Sequence, residues 1–173
     1  MKDNGTQPAW NPADKLGSLE AYAERLHGQA ASLFKRDKTH VSVLFLFSDE
    51  GLASVNAVPA NTPPDALVAG VRQAVREHNL YGVITISEAW TYLLKRSGDH
   101  TAVQIMYGEM RVQDLKDEDR TEALMVRMES RDGGQLTWVD PIVRDGADVR
   151  LGDGMVLPRE KCLKLESFFS ANP

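Results

Sequence analysis

Five consecutive apolar residues, Val43 to Phe47, constrain the fold of this chain more than any other stretch. Successive side chains of a strand alternate faces, so Val43, Phe45 and Phe47 point one way and Leu44 and Leu46 the other. A strand apolar on both sides has to be covered on both sides, which predicts an interior strand with structure packed above and below the sheet. Two stretches offer that cover. Leu19, Tyr22, Ala23, Leu26, Ala30 and Leu33 recur at helical spacing behind Ser18 as cap. Leu67, Val68, Val71 and Val75 do the same after Thr62 and Pro63, with Asp65 at the positive end of the dipole and Asn79 as the stop.

The other elements follow by the same periodicity. "LASVNAV" (52–58) reads as a hairpin partner of the first strand, and "GVITISEAWTYLL" (82–94) opens as a buried strand. A polar insert follows up to residue 119, containing a short helix in "HTAVQIMYGEM". "TEALMVRMES" sets Leu124, Val126 and Met128 on one face, and "RDGG" turns it into "QLTWVDPIV". Pro141 has no N–H to donate to a ladder, so it predicts an exposed margin or the end of regular pairing there. "DVRLGDGMVL" reads as a small hairpin, its "GDG" a tight turn rather than a phosphate loop because no helix follows. Arg159 to Phe169 reads as a last helix.

These elements predict an α+β fold. Its sheet has about five mainly antiparallel strands with flanking helices, ordered αββαβββα, with the insert after the third strand. Residues 1–17 read as a flexible lead-in with Trp10 docked on the body, and 18–173 as a single domain. The order of elements resembles the roadblock and profilin-like arrangement, which implies an interior first strand and helices packed against the sheet.

Composition narrows the function classes. A formal net charge of −5 argues against sequence-independent nucleic-acid binding, which needs a basic stripe to displace counterions. "KRDK" at Lys35–Lys38 is short and interrupted, and reads as a solvated helix end. Cys162 is the only cysteine, which excludes an intrachain disulfide and a cysteine-based zinc cluster. It reads as a small buried residue rather than a nucleophile. No apolar run approaches the ~20 residues that span a bilayer. These features predict a cytoplasmic protein and imply no cofactor. His27, His40, His78 and His100 offer no metal-ligand spacing, and the familiar nucleophile and nucleotide motifs are missing.

One group of residues departs from this plain pattern. The period of two that puts Ile84 and Ile86 on one face puts Glu88 and Trp90 on the same face, and Glu122 likewise shares a face with Leu124 and Val126. If the third and fourth strands pair antiparallel, the two carboxylates become near neighbours and repel by up to ~1 kcal/mol. A cation should therefore meet them. Arg120, two residues before Glu122, is the expected guanidinium, with Lys95 and Arg96 just beyond the end of the third strand. Three readings of Glu88, Trp90, Arg120 and Glu122 follow. They form a structural knot; or they line a binding surface anchored on Trp90, since tryptophan and arginine dominate interface hot spots; or the carboxylates bind a metal or act as an acid–base couple with Asp117, Asp119 or His100.

"LFLFSDEG", "ISEAWTYLL" and "DEDRTEALMVRMES", in that order, resemble a loose group of short bacterial and phage-encoded proteins of unknown function. Members carry a strand ending in Ser-Glu-Ala-Trp (here Ser87–Trp90) and later an Asp-Arg-x-Glu entering another strand (Asp119, Arg120 and Glu122). The resemblance spans Val41 to Val143 and implies a prokaryotic or phage source without implying an activity. The reading that follows is a non-catalytic protein-interaction or accessory module with a protein partner, compatible with a homo-oligomer. A small carboxylate-dependent hydrolase using Glu88 and Glu122 stands as the alternative. A regulatory ligand-binding domain, with a groove between sheet and insert, is another.

Overall fold

The computed structural model describes residues 8–93, 99–107, 109–158 and 167–169. The order of elements is α1 (Lys15–Asp37), β1 (Val43–Ser48), β2 (Gly51–Ala57), α2 (Pro64–His78), β3 (Gly82–Thr91), α3 (His100–Tyr107), β4 (Thr121–Ser130), β5 (Gln135–Asp145), β6 (Asp148–Leu151) and β7 (Met155–Pro158). A short 3-10 turn, Val112–Asp114, lies between α3 and β4. The strands form one antiparallel sheet, β2-β1-β3-β4-β5-β6 with β7 also on β5, curled into a half-barrel.

The two-sided strand sits inside the sheet, between β2 and β3, and its two faces feed two cores. Phe47 packs with Leu19, Ala23, Ile84, Ile86, Val126 and others under α1. Leu44 and Leu46 pack with Val71, Leu80, Val83 and Phe168 on the side of α2. Burying such side chains contributes roughly 1.5–3 kcal/mol each, which is why the alternating pattern fixes the sheet between two layers.

Both helices begin a little away from the expected caps. Asp14 rather than Ser18 caps α1: its Oδ1 accepts from the Gly17 N–H at 3.0 Å. Ser18 lies inside the helix, its hydroxyl donating to Asp14 O and accepting from Asn11 N–H. For α2 the cap position is Pro63, with Pro64 taking the first helical place. Lys38 and Asn79 end the two helices in the left-handed region, at φ 62° and 47°. Trp10 does dock on the body. Its ring stacks on Phe47 at 5.7 Å and its Nε1 donates to Asp49 O at 3.0 Å. Gly51 makes the close approach possible, since at φ 120° a Cβ there would stand 3.2 Å from the indole.

The far edge of the sheet differs from expectation. Pro141 does not end β5; the strand runs on to Asp145, and Pro141 pairs with Ala123 of β4. β6 and β7 do not pair with each other as a hairpin. Both lie along β5, β6 beside Ile142–Asp145 and β7 beside Leu136–Val139. Between them three residues, Gly152–Gly154, stand opposite Asp140 and Pro141, so β6 and β7 act as one edge strand with a one-residue bulge. The bulge lies where proline offers no N–H to a neighbour, and Gly152 N–H instead donates to Pro141 O at 2.7 Å. The opposite edge is bulged as well, with Ala53 of β2 left over between the Leu46–Ser54 and Phe47–Leu52 pairs. Of the helix expected over 159–169, with Cys162, all but Ser167–Phe169 lies outside the described residues; of those three, Phe168 and Phe169 form a bend.

Candidate functional site

β3 and β4 pair antiparallel over ten positions, with Trp90 opposite Glu122 and Glu88 opposite Leu124. Glu88, Trp90 and Glu122 therefore share one face, the α1 face, at the margin of the sheet. The expected juxtaposition of the two carboxylates is present. The expected cation is not.

Arg144, from the part of β5 beyond Pro141, takes that place. Its Nε and Nη2 donate to Oε2 and Oε1 of Glu122 at 2.6 and 2.7 Å, and its Nη2 stands 3.9 Å from Oε2 of Glu88. These hydrogen bonds hold the Glu122 carboxyl below the usual carboxylate range, against the opposing effect of desolvation. The other oxygen of Glu88 accepts from the Thr39 hydroxyl at 3.0 Å and from the His40 backbone N–H. Glu88 thus ties β3 to the connection between α1 and β1. Both carboxylates thus have partners within the fold, Glu122 through both oxygens and Glu88 chiefly through Oε1.

Arg120 does something else. Its guanidinium lies 4.2 Å from the ring centroid of Trp90, a cation–π contact. It is held there by Asp117 Oδ1 and by Gln113 O at 3.2 Å. Trp90 keeps 47% of its surface exposed, and Val41, next to His40, keeps 70%. The margin therefore presents a half-exposed indole backed by a fixed guanidinium, beside a second guanidinium locked on Glu122. Among the described residues no three or more His, Cys, Asp or Glu side chains are grouped to hold a metal ion. Lys95 and Arg96 lie outside the described residues. A cavity of about 240 Å³ opens between α1 and the β1–β2 hairpin, lined by Pro8, Tyr22, Leu26, Phe45 and Leu52 among others.

Two polar pairs have no counterpart in the sequence pattern. His27 Nε2 and Asp140 Oδ2 lie 2.6 Å apart between α1 and β5, with the imidazole stacked on Trp138 and Asp140 buried at the edge-strand bulge. On the opposite face of the sheet, Arg127 donates to Glu129 at 2.7 Å, both side chains buried. No short-range signal marks either pair. His27 occupies an ordinary helical position, and Arg127 and Glu129 sit on the polar alternate of a strand, where exposure is the usual outcome.

A family model described as bacteriophage lambda protein ea47 matches residues 2–166. The chain belongs to that family. The match takes in the whole stretch from Val41 to Val143 and both flanks, and its description names a phage protein and no activity. No curated protein and no solved structure matches this ea47-family chain. Among the described residues, no helix is long and apolar enough to cross a membrane.

Proposed function

We propose that this ea47-family chain is a non-catalytic protein-interaction module of phage origin, and that the Trp90 margin is its contact surface. One observation carries the reading: an indole exposed over 47% of its surface is capped by a guanidinium 4.2 Å from its ring centroid instead of being folded into the core beside it. An aromatic already packed against a neighbour loses less entropy on binding than a free one, and tryptophan and arginine are among the residue types most enriched at interface hot spots. The engagement of Glu88 and Glu122 by Arg144, Thr39 and His40 argues in the same direction, since an acid–base couple needs at least one carboxyl free to meet a substrate.

Wild-type chain and the variants Trp90→Ala and Arg120→Ala, each immobilised and exposed to lysate of phage-infected host cells, test the reading. The wild type should retain a specific host or phage protein that both variants lose, while their melting temperatures fall by no more than about 2 °C. A fall of many degrees with retention unchanged would make Trp90 a lid on the core and nothing more.

A further inference from the structure

The face of the sheet opposite the Trp90 margin already holds a short peptide: the chain's own residues Ser167–Phe169. Glu129 Oε1 accepts from the Ser167 hydroxyl and Oε2 from the Phe168 N–H at 3.1 Å. Arg72 of α2 donates through Nε to the Ser167 carbonyl at 2.9 Å. The Phe168 ring lies 4.5 Å beneath the Arg127 guanidinium and enters the core formed by Leu44, Leu46, Val71, Leu80 and Val83. Main-chain donor and hydroxyl are met by the two oxygens of Glu129, the main-chain acceptor by Arg72 and the ring by Arg127.

A segment that only completed a core would need the ring and little else. Here a carboxylate with 4% of its surface exposed is spent on the main chain and hydroxyl of that segment, and an arginine with 8% exposed covers its ring. Removing two charges from water costs several kcal/mol per ion, offset only when their remaining hydrogen-bonding positions are filled. Without Ser167 and Phe168, Glu129 would keep Arg127 and lose the N–H and O–H donors of that segment. The body is thus built to stay liganded.

We infer that the Arg72–Arg127–Glu129 face is a peptide-binding site that reads a hydroxyl residue followed by an aromatic one. It is filled in cis by Ser167–Phe168, and it accepts the same segment from a second copy of the chain. The partner chemistry is set by what the site offers: a carboxylate for N–H and O–H, a guanidinium for a carbonyl, and a cation-capped apolar hole for one ring. In the native chain the attached segment competes with any other, so apparent affinity for a free peptide is reduced by the fraction of time the site stands open.

The test uses the full chain and a fluorescent peptide of residues 164–173. The variant Phe168→Ala removes the ring from the attached segment and leaves the site intact. It should bind the peptide at least about tenfold more tightly than the wild type does, and gain thermal stability from it. Binding should be lost when the peptide itself carries alanine in place of its first phenylalanine, and in the double variant Phe168→Ala, Glu129→Gln. Ser167→Ala, which keeps the ring and with it the core, is read in the same assay in case Phe168→Ala fails to fold, and should take up peptide above the wild-type level. Absence of uptake in every variant that folds, or uptake indifferent to the peptide's phenylalanine, would overturn the inference.

Discussion

Arg144 grips both oxygens of Glu122, from a strand position that lies beyond a proline. The pair is bidentate, and the same guanidinium faces Glu88, so one cation separates two carboxylates lying diagonally on one face. With 45% of the Arg144 side chain exposed, the bond is worth about as much as a good surface pair and no more. A double-mutant cycle on Arg144→Ala and Glu122→Ala should give a coupling of about 0.5–1 kcal/mol. The same cycle with Arg120→Ala should give a coupling near zero. The sign with pH follows from the depressed carboxyl: the contribution of Glu122 is present above its unfolded pKa and lost as pH falls through its lower folded one. Removing Arg144 should raise the Glu122 titration seen by NMR.

His27 and Asp140 join α1 to the bulged edge of the sheet at a place where little water reaches the carboxylate. Truncating His27 leaves Asp140 buried with one fewer donor. His27→Ala should therefore lower stability by about 1–3 kcal/mol in urea unfolding, and more than the surface substitution Gln29→Ala on the same helix. Combining His27→Ala with Asp140→Ala should restore part of that loss, because the stranded acceptor is then gone. Losses that simply add would show that the two side chains do not act as a pair.

Tyr81 is buried to 1% exposure beneath Lys15 and Arg131, whose charges lie 5.0 and 5.7 Å from its ring. Burial, and then the Asp132 carboxylate, push its hydroxyl up to about 12. Because the folded pKa lies above the unfolded one, the native state keeps the proton longer. The corresponding stability is complete below about pH 10 and is lost as pH rises toward 12, by at most roughly 2–3 kcal/mol. An ultraviolet titration of the folded chain should show a tyrosine component that ionises near pH 12. In Tyr81→Phe that late component should vanish.

Much of this architecture was legible because it rests on periodicity. The alternation at Val43–Phe47, the helical stripes and the Asn79 stop each report a local requirement, and the structure meets them except at Leu33, which stays exposed while Phe34 beside it enters the core. The shared face of Glu88, Trp90 and Glu122 was legible for the same reason, since antiparallel pairing and a period of two determine it. The identity of the cation was not. Taking Pro141 as the end of pairing removed Arg144 from the sheet, and the nearest arginine in sequence, Arg120, stood in for the nearest in space. The bulge between β6 and β7 is what lets the strand continue, and no residue within β5 announces it. Asp140, hidden by the same bulge, escaped notice for the same reason. Arg127 and Glu129 went unread because their cover comes from residues 38 to 41 positions further along the chain.

The irregular outer strands at the two sides of the sheet bear on how a second protein can approach. A free strand is a template only where several peptide groups in a row lie straight and unpaired, and here Ala53 interrupts one border and Gly152–Gly154 the other. Neither border offers a long straight ledge on which a foreign strand, or a neighbour's sheet, can be laid down and extended. Among the described residues, both borders are thus better suited to contacts through side chains than to the addition of a strand, and neither makes a ready seed for fibre growth.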